Sequence, residues 1–228
     1  MEAKQFDTQG LRSLIVEPDD YDPDREYPVI FLLHGYGSNM TDLANLTPAI
    51  SRTKYLYVCP NAPIAFDLGM GQTGYAWANL YGSTYDEEAM ASEERFMDFL
   101  EEVGANYRLR HDRLILGGFS QGGMMTYQMG LPHPEKFAGL FALSSTVKSP
   151  NLIRPRLPER RDHQVFVAHG TRDMIAPIEA GRESIDLLRE WGYAPEYHEY
   201  EGMAHEIRQE VIDDFVGWLD RLTQGKRD

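Results

Sequence analysis

Short runs of apolar, often β-branched residues alternate with longer stretches of helical period along most of this chain. LRSLIV (11–16) and PVIFLLHG (28–35) read as strands, the second too uniformly apolar to have a wet face, as expected of a central strand covered on both sides. YLYVCP (55–60), RLILGGFS (113–120), FAGLFALSS (137–145), QVFVAHG (164–170) and EYHEY (196–200) complete the strand set. The clearest helical pattern runs from Asp86 to Tyr107, where Ala89, Phe96, Leu100, Val103 and Tyr107 share a face and Glu87, Glu94, Asp98 and Glu101 point away. Another spans 206–222, with Ile207, Val211, Phe215, Trp218 and Leu222 spaced by four, four, three and four. Strand and helix in regular alternation predict an α/β fold with a mostly parallel central sheet flanked by helices on both faces.

Two segments fit neither period. Residues 61–85 are rich in Gly and aromatics, and 146–163 carry Lys148, Arg154, Arg156, Arg160 and Arg161. Unpatterned stretches of this length inside a compact domain are usually functional, so both are expected to be active-site loops. For the basic one, a lid and a solvated surface loop stand as alternatives. The chain length of 228 residues suits one α/β domain over 1–228 with a single large core.

Charge and cysteine content narrow the partners. Lys plus Arg number 22 and Asp plus Glu 36, a net −14 that argues against nucleic acid and against an anionic membrane surface. No run approaches the roughly 18 apolar residues of a bilayer span, so no stable membrane insertion is expected. The start, MEAKQFDTQG, has no apolar signal region, and one cysteine cannot form an internal disulfide. The expectation is a cytoplasmic protein in which Cys59, inside an apolar run, is a buried strand thiol and not a nucleophile.

The most informative residues lie in LGGFSQGG, where Gly118-Phe119-Ser120-Gln121-Gly122 matches G-x-S-x-G. A strand enters and a helical stretch, MMTYQMGL, leaves, so Ser120 falls on the tight strand-to-helix turn that lifts a serine hydroxyl above a sheet. A serine needs a base to take its proton and a carboxylate to orient that base, in the chain order Ser, acid, His on this scaffold. Only His198 and His205 lie late enough, and His198 sits inside the strand-like EYHEY, which leaves His205 in EGMAHE as the base. Asp173 in HGTRDMIAP directly follows a strand at the same sheet edge, whereas Asp186, Glu179 and Glu183 belong to a helix starting near Pro177. The oxyanion donors are read as the main-chain amides of Gln121 and of Tyr36 in the His34-Gly35-Tyr36-Gly37-Ser38 loop, with His34 a structural residue of that loop.

LLHGYGSN, CPNAP, GFSQGG, HGTRDMIAP and GMAHE, in this order and across nearly the whole chain, resemble the phospholipase/carboxylesterase family of α/β-hydrolases, which includes acyl-protein thioesterases and small bacterial carboxylesterases. The resemblance implies the α/β-hydrolase fold, a nucleophile, acid and base at Ser120, Asp173 and His205, and an oxyanion loop over His34 to Gly37. Thioesterase members carry Trp-Phe-Asp after the Asn-Ala-Pro loop, where this chain has Gly74-Tyr75-Ala76-Trp77-Ala78-Asn79. That departure leaves the chemistry intact and bears on the acyl-protein substrate.

Leu68, Met70, Tyr75, Trp77, Leu80 and Tyr81 are expected to line an apolar substrate pocket, core cover being the alternative for each. The histidines are scattered, with no paired cysteines, so no metal and no cofactor is expected. The reading is a serine carboxylesterase acting on a small-molecule ester through an acyl-enzyme on Ser120. An acyl thioesterase or lysophospholipase with the same triad is the alternative, and a non-catalytic binding module a more distant one. The sequence leaves a homodimer open.

Overall fold

The computed structural model describes residues 1–107, 109 and 114–224. Its elements are β1 (Glu2–Asp7), β2 (Arg12–Glu17), β3 (Val29–Leu33), α1 (Met40–Ala44), α2 (Thr47–Ile50), β4 (Leu56–Pro60), β5 (Ile64–Gly69), β6 (Gln72–Ala76), α3 (Tyr85–Tyr107), β7 (Leu114–Phe119), α4 (Gln121–Gly130), β8 (Gly139–Leu143), α5 (Pro150–Ile153), β9 (Gln164–Gly170), α6 (Ile178–Glu190), β10 (Glu196–Tyr200) and α7 (Gln209–Gln224). Eight strands among the described residues form one sheet in the order β1-β2-β4-β3-β7-β8-β9-β10. From β4 to β10 every neighbour is parallel, and only the pairings β1–β2 and β2–β4 are antiparallel, so β2 alone runs against the other strands.

Strands β3, β4 and β8 are buried at all five positions, because helices cover both faces. Alternate residues of β3 separate the two layers. Phe31 and Leu33 pack with Phe96 and Leu100 of α3, Tyr127 of α4 and Leu188 of α6. Ile30 and Leu32 pack with Leu43 of α1, Ile50 of α2 and Phe215 and Trp218 of α7. The two longest amphipathic patterns thus lie on opposite faces, each burying its apolar stripe.

Three segments depart from the sequence reading. Strand β1 is almost wholly exposed and carries Glu2, Lys4 and Asp7, so it lacks apolar alternation; its pairing with β2 makes it a charged edge strand. The stretch 61–85, expected to be a loop, contains the antiparallel hairpin β5–β6. Its turn, Gly69-Met70-Gly71, has all three residues at positive φ, and β5 is only partly buried. The stretch 146–163 likewise holds α5 and a 3-10 turn at Arg154–Arg156. Arg113, read as the first residue of a strand, lies outside the described residues.

Strand β7 and helix α4 meet β3 with no room for a side chain. A Cβ on Gly118 would lie 2.3 Å from the Leu33 carbonyl oxygen, and one on Gly122 would lie 1.9 Å from the same oxygen. Since backbone cannot retreat as a side chain can, Gly122→Ala is expected to lower stability in urea denaturation by about 3 kcal/mol or more. Gly71→Ala, where nothing stands within 4 Å but φ is +75°, should cost only the left-handed strain of about 1–2 kcal/mol. Equal losses would show that the α4–β3 contact is not tight.

Candidate active site

The chemistry-bearing residues gather outside the carboxyl ends of the parallel strands, where open α/β sheets place their ligand sites. Ser120 follows β7, the His34–Ser38 loop follows β3, Asp173 follows β9, and His205 lies between β10 and α7.

Ser120 stands at the N-cap of α4 with φ 53° and ψ −117°, a left-handed conformation costly for any residue with a Cβ. Its amide donates to the Leu143 carbonyl at 2.9 Å, and its carbonyl accepts from the Ser145 hydroxyl at 2.8 Å. The main chain of the turn is therefore fixed from β8, while the Ser120 side chain makes no capping bond to the helix.

His205 and Asp173 are brought together. The imidazole Nδ1 donates to Asp173 Oδ2 at 2.7 Å, which leaves Nε2 as the lone-pair nitrogen. The other carboxylate oxygen accepts the amides of Ile175 at 2.9 Å and Ala176 at 2.8 Å, and the carboxylate is buried. His169 Nε2 donates to the Ala176 carbonyl at 2.7 Å and closes the same loop. Phe119, directly before Ser120, packs its ring 4.7 Å from the His205 ring. The rival residues lie elsewhere: His198, in β10, pairs with Glu196 at 3.1 Å, and Asp186 is an exposed residue of α6.

The loop after β3 is held by His34. Its Nε2 accepts the Ala62 amide at 3.0 Å and its Nδ1 donates to the Gly35 carbonyl at 2.8 Å, so the ring is the neutral Nδ1–H tautomer. Burial lowers its pKa to about 4. Gly35 lies beside the nucleophile turn, since a Cβ there would stand 3.4 Å from Ser120 Cβ. Tyr36 sits next, its ring 5.2 Å from Phe66 and 6.3 Å from Tyr81.

The expected pocket residues divide. Leu68 and Tyr81 are exposed, and Met70 is fully exposed at the hairpin tip. Tyr75 and Leu80 are half-buried against the core. Trp77 is a correction: at 0% exposure it lies in the core, its ring 6.5 Å from Phe96 of α3, so it lines no open surface. Aromatic residues in a Gly-rich tract suggested a pocket wall, but the chain turns inward after β6. Three apolar residues that the sequence reading did not name lie at this edge: Phe66 packs on Tyr36, while Met174 and Ile175 are exposed beside Asp173. The spacing Ile64, Phe66, Leu68 was the available signal for the first.

Several basic residues of 146–163 are engaged with the body of the protein. Arg156 forms a two-nitrogen ion pair with the buried Glu93 of α3, and Arg161 donates to the Trp191 carbonyl at 3.0 Å. Cys59 is fully buried and its thiol is pushed up by burial, as expected of a strand thiol. No group of His, Cys, Asp and Glu suited to a metal ion occurs among the described residues. No described helix is long and apolar enough to cross a membrane.

The family model described as phospholipase/carboxylesterase matches residues 15–222. The chain belongs to that family. It is thus an α/β-hydrolase of the esterase and thioesterase class. Acyl-protein thioesterase 1 of Kluyveromyces lactis is 28% identical over 209 residues, spanning 85% of this chain and 91% of the relative. The Neurospora crassa protein of the same name is 29% identical over 217 residues, spanning 86% of each chain. Among solved structures, esterase PE8 superposes with a TM-score of 0.81 at 26% identity, covering 93% of this chain and 99% of that one. Zea mays acyl-protein thioesterase 2 superposes at 0.74 with 21% identity, covering 92% and 98%, a likeness of fold.

The buried neutral His34 gives the site a signed acid response. Its folded pKa of about 4 lies below the unfolded value of about 6.5, so its contribution is fully present above 6.5 and is lost as pH falls through 4. The loss is on the order of 3 kcal/mol. Urea denaturation at pH 7, 5 and 4 checks it. His34→Gln should be less stable at pH 7 but show a flatter decline with acid, and parallel declines would contradict the assignment.

Proposed function

We propose that this protein is a serine carboxylesterase in which Ser120 is the nucleophile, His205 the general base and Asp173 the carboxylate that orients it. The observation carrying the reading is the 2.7 Å bond from His205 Nδ1 to the buried Asp173, on an imidazole packed against the residue preceding Ser120. With Nδ1 committed as donor, Nε2 can accept the Ser120 proton as Oγ attacks the ester carbonyl carbon. The carbonyl π pair moves onto oxygen, and the amides of Tyr36 and Gln121 are assigned to that oxyanion. Collapse expels the leaving oxygen, which takes the proton from Nε2, and the acyl group stays on Ser120. Water then repeats the sequence: Nε2 takes its proton, its oxygen attacks the acyl carbon, and the proton returns to Ser120 Oγ as the acid departs.

The exposed Leu68, Met70, Tyr81, Met174 and Ile175 favour an apolar acyl group, a preference that esters, thioesters and lysophospholipids can all satisfy. Relatives named acyl-protein thioesterase keep the thioester among the substrates to be compared. The apolar residues and the oxyanion assignment bear on substrate choice and rate, not on the identity of the nucleophile.

A fluorophosphonate should label Ser120 alone, mapped by mass spectrometry. Ser120→Ala should lower kcat by roughly 10⁶, and Asp173→Asn by roughly 10⁴ through the wrong imidazole tautomer. EDTA should leave the rate unchanged. Adducts on another serine, or an active Ser120→Ala, would overturn the assignment. Comparing p-nitrophenyl esters of graded length with an acyl thioester and a lysophospholipid ranks the substrate classes.

Separating the two proposed oxyanion donors requires removing one amide. Tyr36→Phe should be mild, whereas Tyr36→Pro, checked for folding by circular dichroism, should lower kcat by about 10² to 10³. Equal damage from both would move the donor role away from the Tyr36 main chain.

A further inference from the structure

The two amides assigned to the oxyanion come from loops 85 residues apart in the chain, one after β3 and one at the start of α4. A third segment, residues 75–78, touches both. On the β3 side, the Gly37 amide donates to the Tyr75 carbonyl at 2.8 Å and the Tyr75 amide donates to the Ser38 carbonyl at 3.0 Å. The Trp77 indole Nε1 donates to the His34 carbonyl at 3.1 Å. On the α4 side, the Gln121 side chain uses both ends of its amide: Oε1 accepts the Trp77 amide at 3.0 Å, and Nε2 donates to the Ala78 carbonyl at 2.6 Å. Ser92 of α3 donates its hydroxyl to the Trp77 carbonyl from below.

We infer that Trp77 and the Gln121 side chain are positioning residues that set the separation of the two oxyanion donors. If residue 121 served only through its main-chain amide, its side chain would be free to be apolar at a site with 0% exposure. Instead a buried carboxamide is paired at both ends with one segment, and a buried amide left unpaired is costly, so the pairing resists displacement. The indole continues the connection to the carbonyl two residues before Tyr36. Segment 75–78 is thus a strut between the turn at Ser120 and the loop after β3. Oxyanion stabilisation depends on donors within about 2.7–3.1 Å of the developing charge, and misplacement by about 1 Å can cost on the order of 100-fold.

This inference rests on the oxyanion assignment above, and its test separates the two. Trp77→Phe removes the indole N–H and keeps an aromatic ring; Gln121→Met keeps the length and the main-chain amide and removes both side-chain bonds. Each is expected to lower kcat about 10- to 100-fold with KM within about threefold. Affinity for an alkyl trifluoromethyl ketone, which forms an oxyanionic hemiketal on a serine, should fall by a similar factor. The double variant should lose less than the product of the single losses, because both cut one strut. Phe99→Leu, a core truncation on α3, should lower the melting temperature without changing ketone affinity. Should Trp77→Phe not fold, Gln121→Met and Ser92→Ala carry the same readouts.

Wild-type ketone affinity in folded Trp77→Phe and Gln121→Met, or an equal affinity loss in Phe99→Leu, would overturn the inference. A wild-type protein inactive on esters and unlabelled at Ser120 would instead overturn the proposed function.

Discussion

The contact between the start of α4 and the end of β3 is the constraint on which the site depends. Gly118 and Gly122 both lie against the Leu33 carbonyl, so helix and strand approach until main chain meets main chain. Joining β7 to α4 within one residue at that separation requires the positive φ seen at Ser120. The strain is borne because β8 and the residues just after it fix the turn from the other side, through Leu143 to the Ser120 amide and Ser145 to its carbonyl. The approach also brings the loop after β3 against the nucleophile turn, with Gly35 beside Ser120. One close contact thereby exposes a hydroxyl and delivers a second set of main-chain amides to its edge.

Much of this was legible in the sequence because it rests on local rules. Fully buried strands such as β3, β4 and β8 are continuous apolar runs, and α3 and α7 announce themselves by period. The proposed triad of Ser120, Asp173 and His205 could be picked out because each falls just past a strand, where the fold must turn and side chains are free for chemistry. Strand β1 was not legible, since an exposed edge strand needs no apolar residue to pair with β2. The hairpin was hidden because the inward positions of β6 are Gly74 and Ala76, whose small side chains give little apolar alternation beside the Ile64, Phe66 and Leu68 spacing of β5. Trp77 was misread because its burial depends on partners distant in sequence: Gln121 lies 44 positions away and His34 43. Nothing within a window around Trp77 distinguishes an indole that braces two loops from one that greets a substrate.

The chain as a whole carries a net charge of −14, whereas the edge of the site carries apolar side chains that stand in water. Met70 is the sharpest case, fully exposed and left-handed between two glycines, an arrangement that packing does not require. Leu68 and Phe66 of the same hairpin approach Gly37, so these apolar groups are continuous with the loop that carries Tyr36. On the proposed function, chemistry and apolar recognition are built on different supports: the reacting groups on strand ends fixed by the core, the recognition surface on a hairpin and a loop outside the main sheet.

The histidines at this edge show how environment separates roles among identical side chains. His34 is fully enclosed and has one nitrogen accepting an amide, so a second proton would both charge a buried ring and break the Ala62 bond. It can hold a loop but cannot cycle a proton. His169 is also enclosed, its Nε2 proton spent on the Ala176 carbonyl, where it braces the carboxylate loop. His169 Nε2 lies 3.7 Å from Asp173 Oδ2, whereas His205 Nδ1 is hydrogen-bonded to that oxygen at 2.7 Å, an ionic partner for an imidazolium, and the His205 side chain is partly exposed. A base must accept a proton and release it within one turnover, so it needs an ionic partner on one nitrogen and access on the other. Among these three rings, only His205 has that combination of a carboxylate bond and exposure.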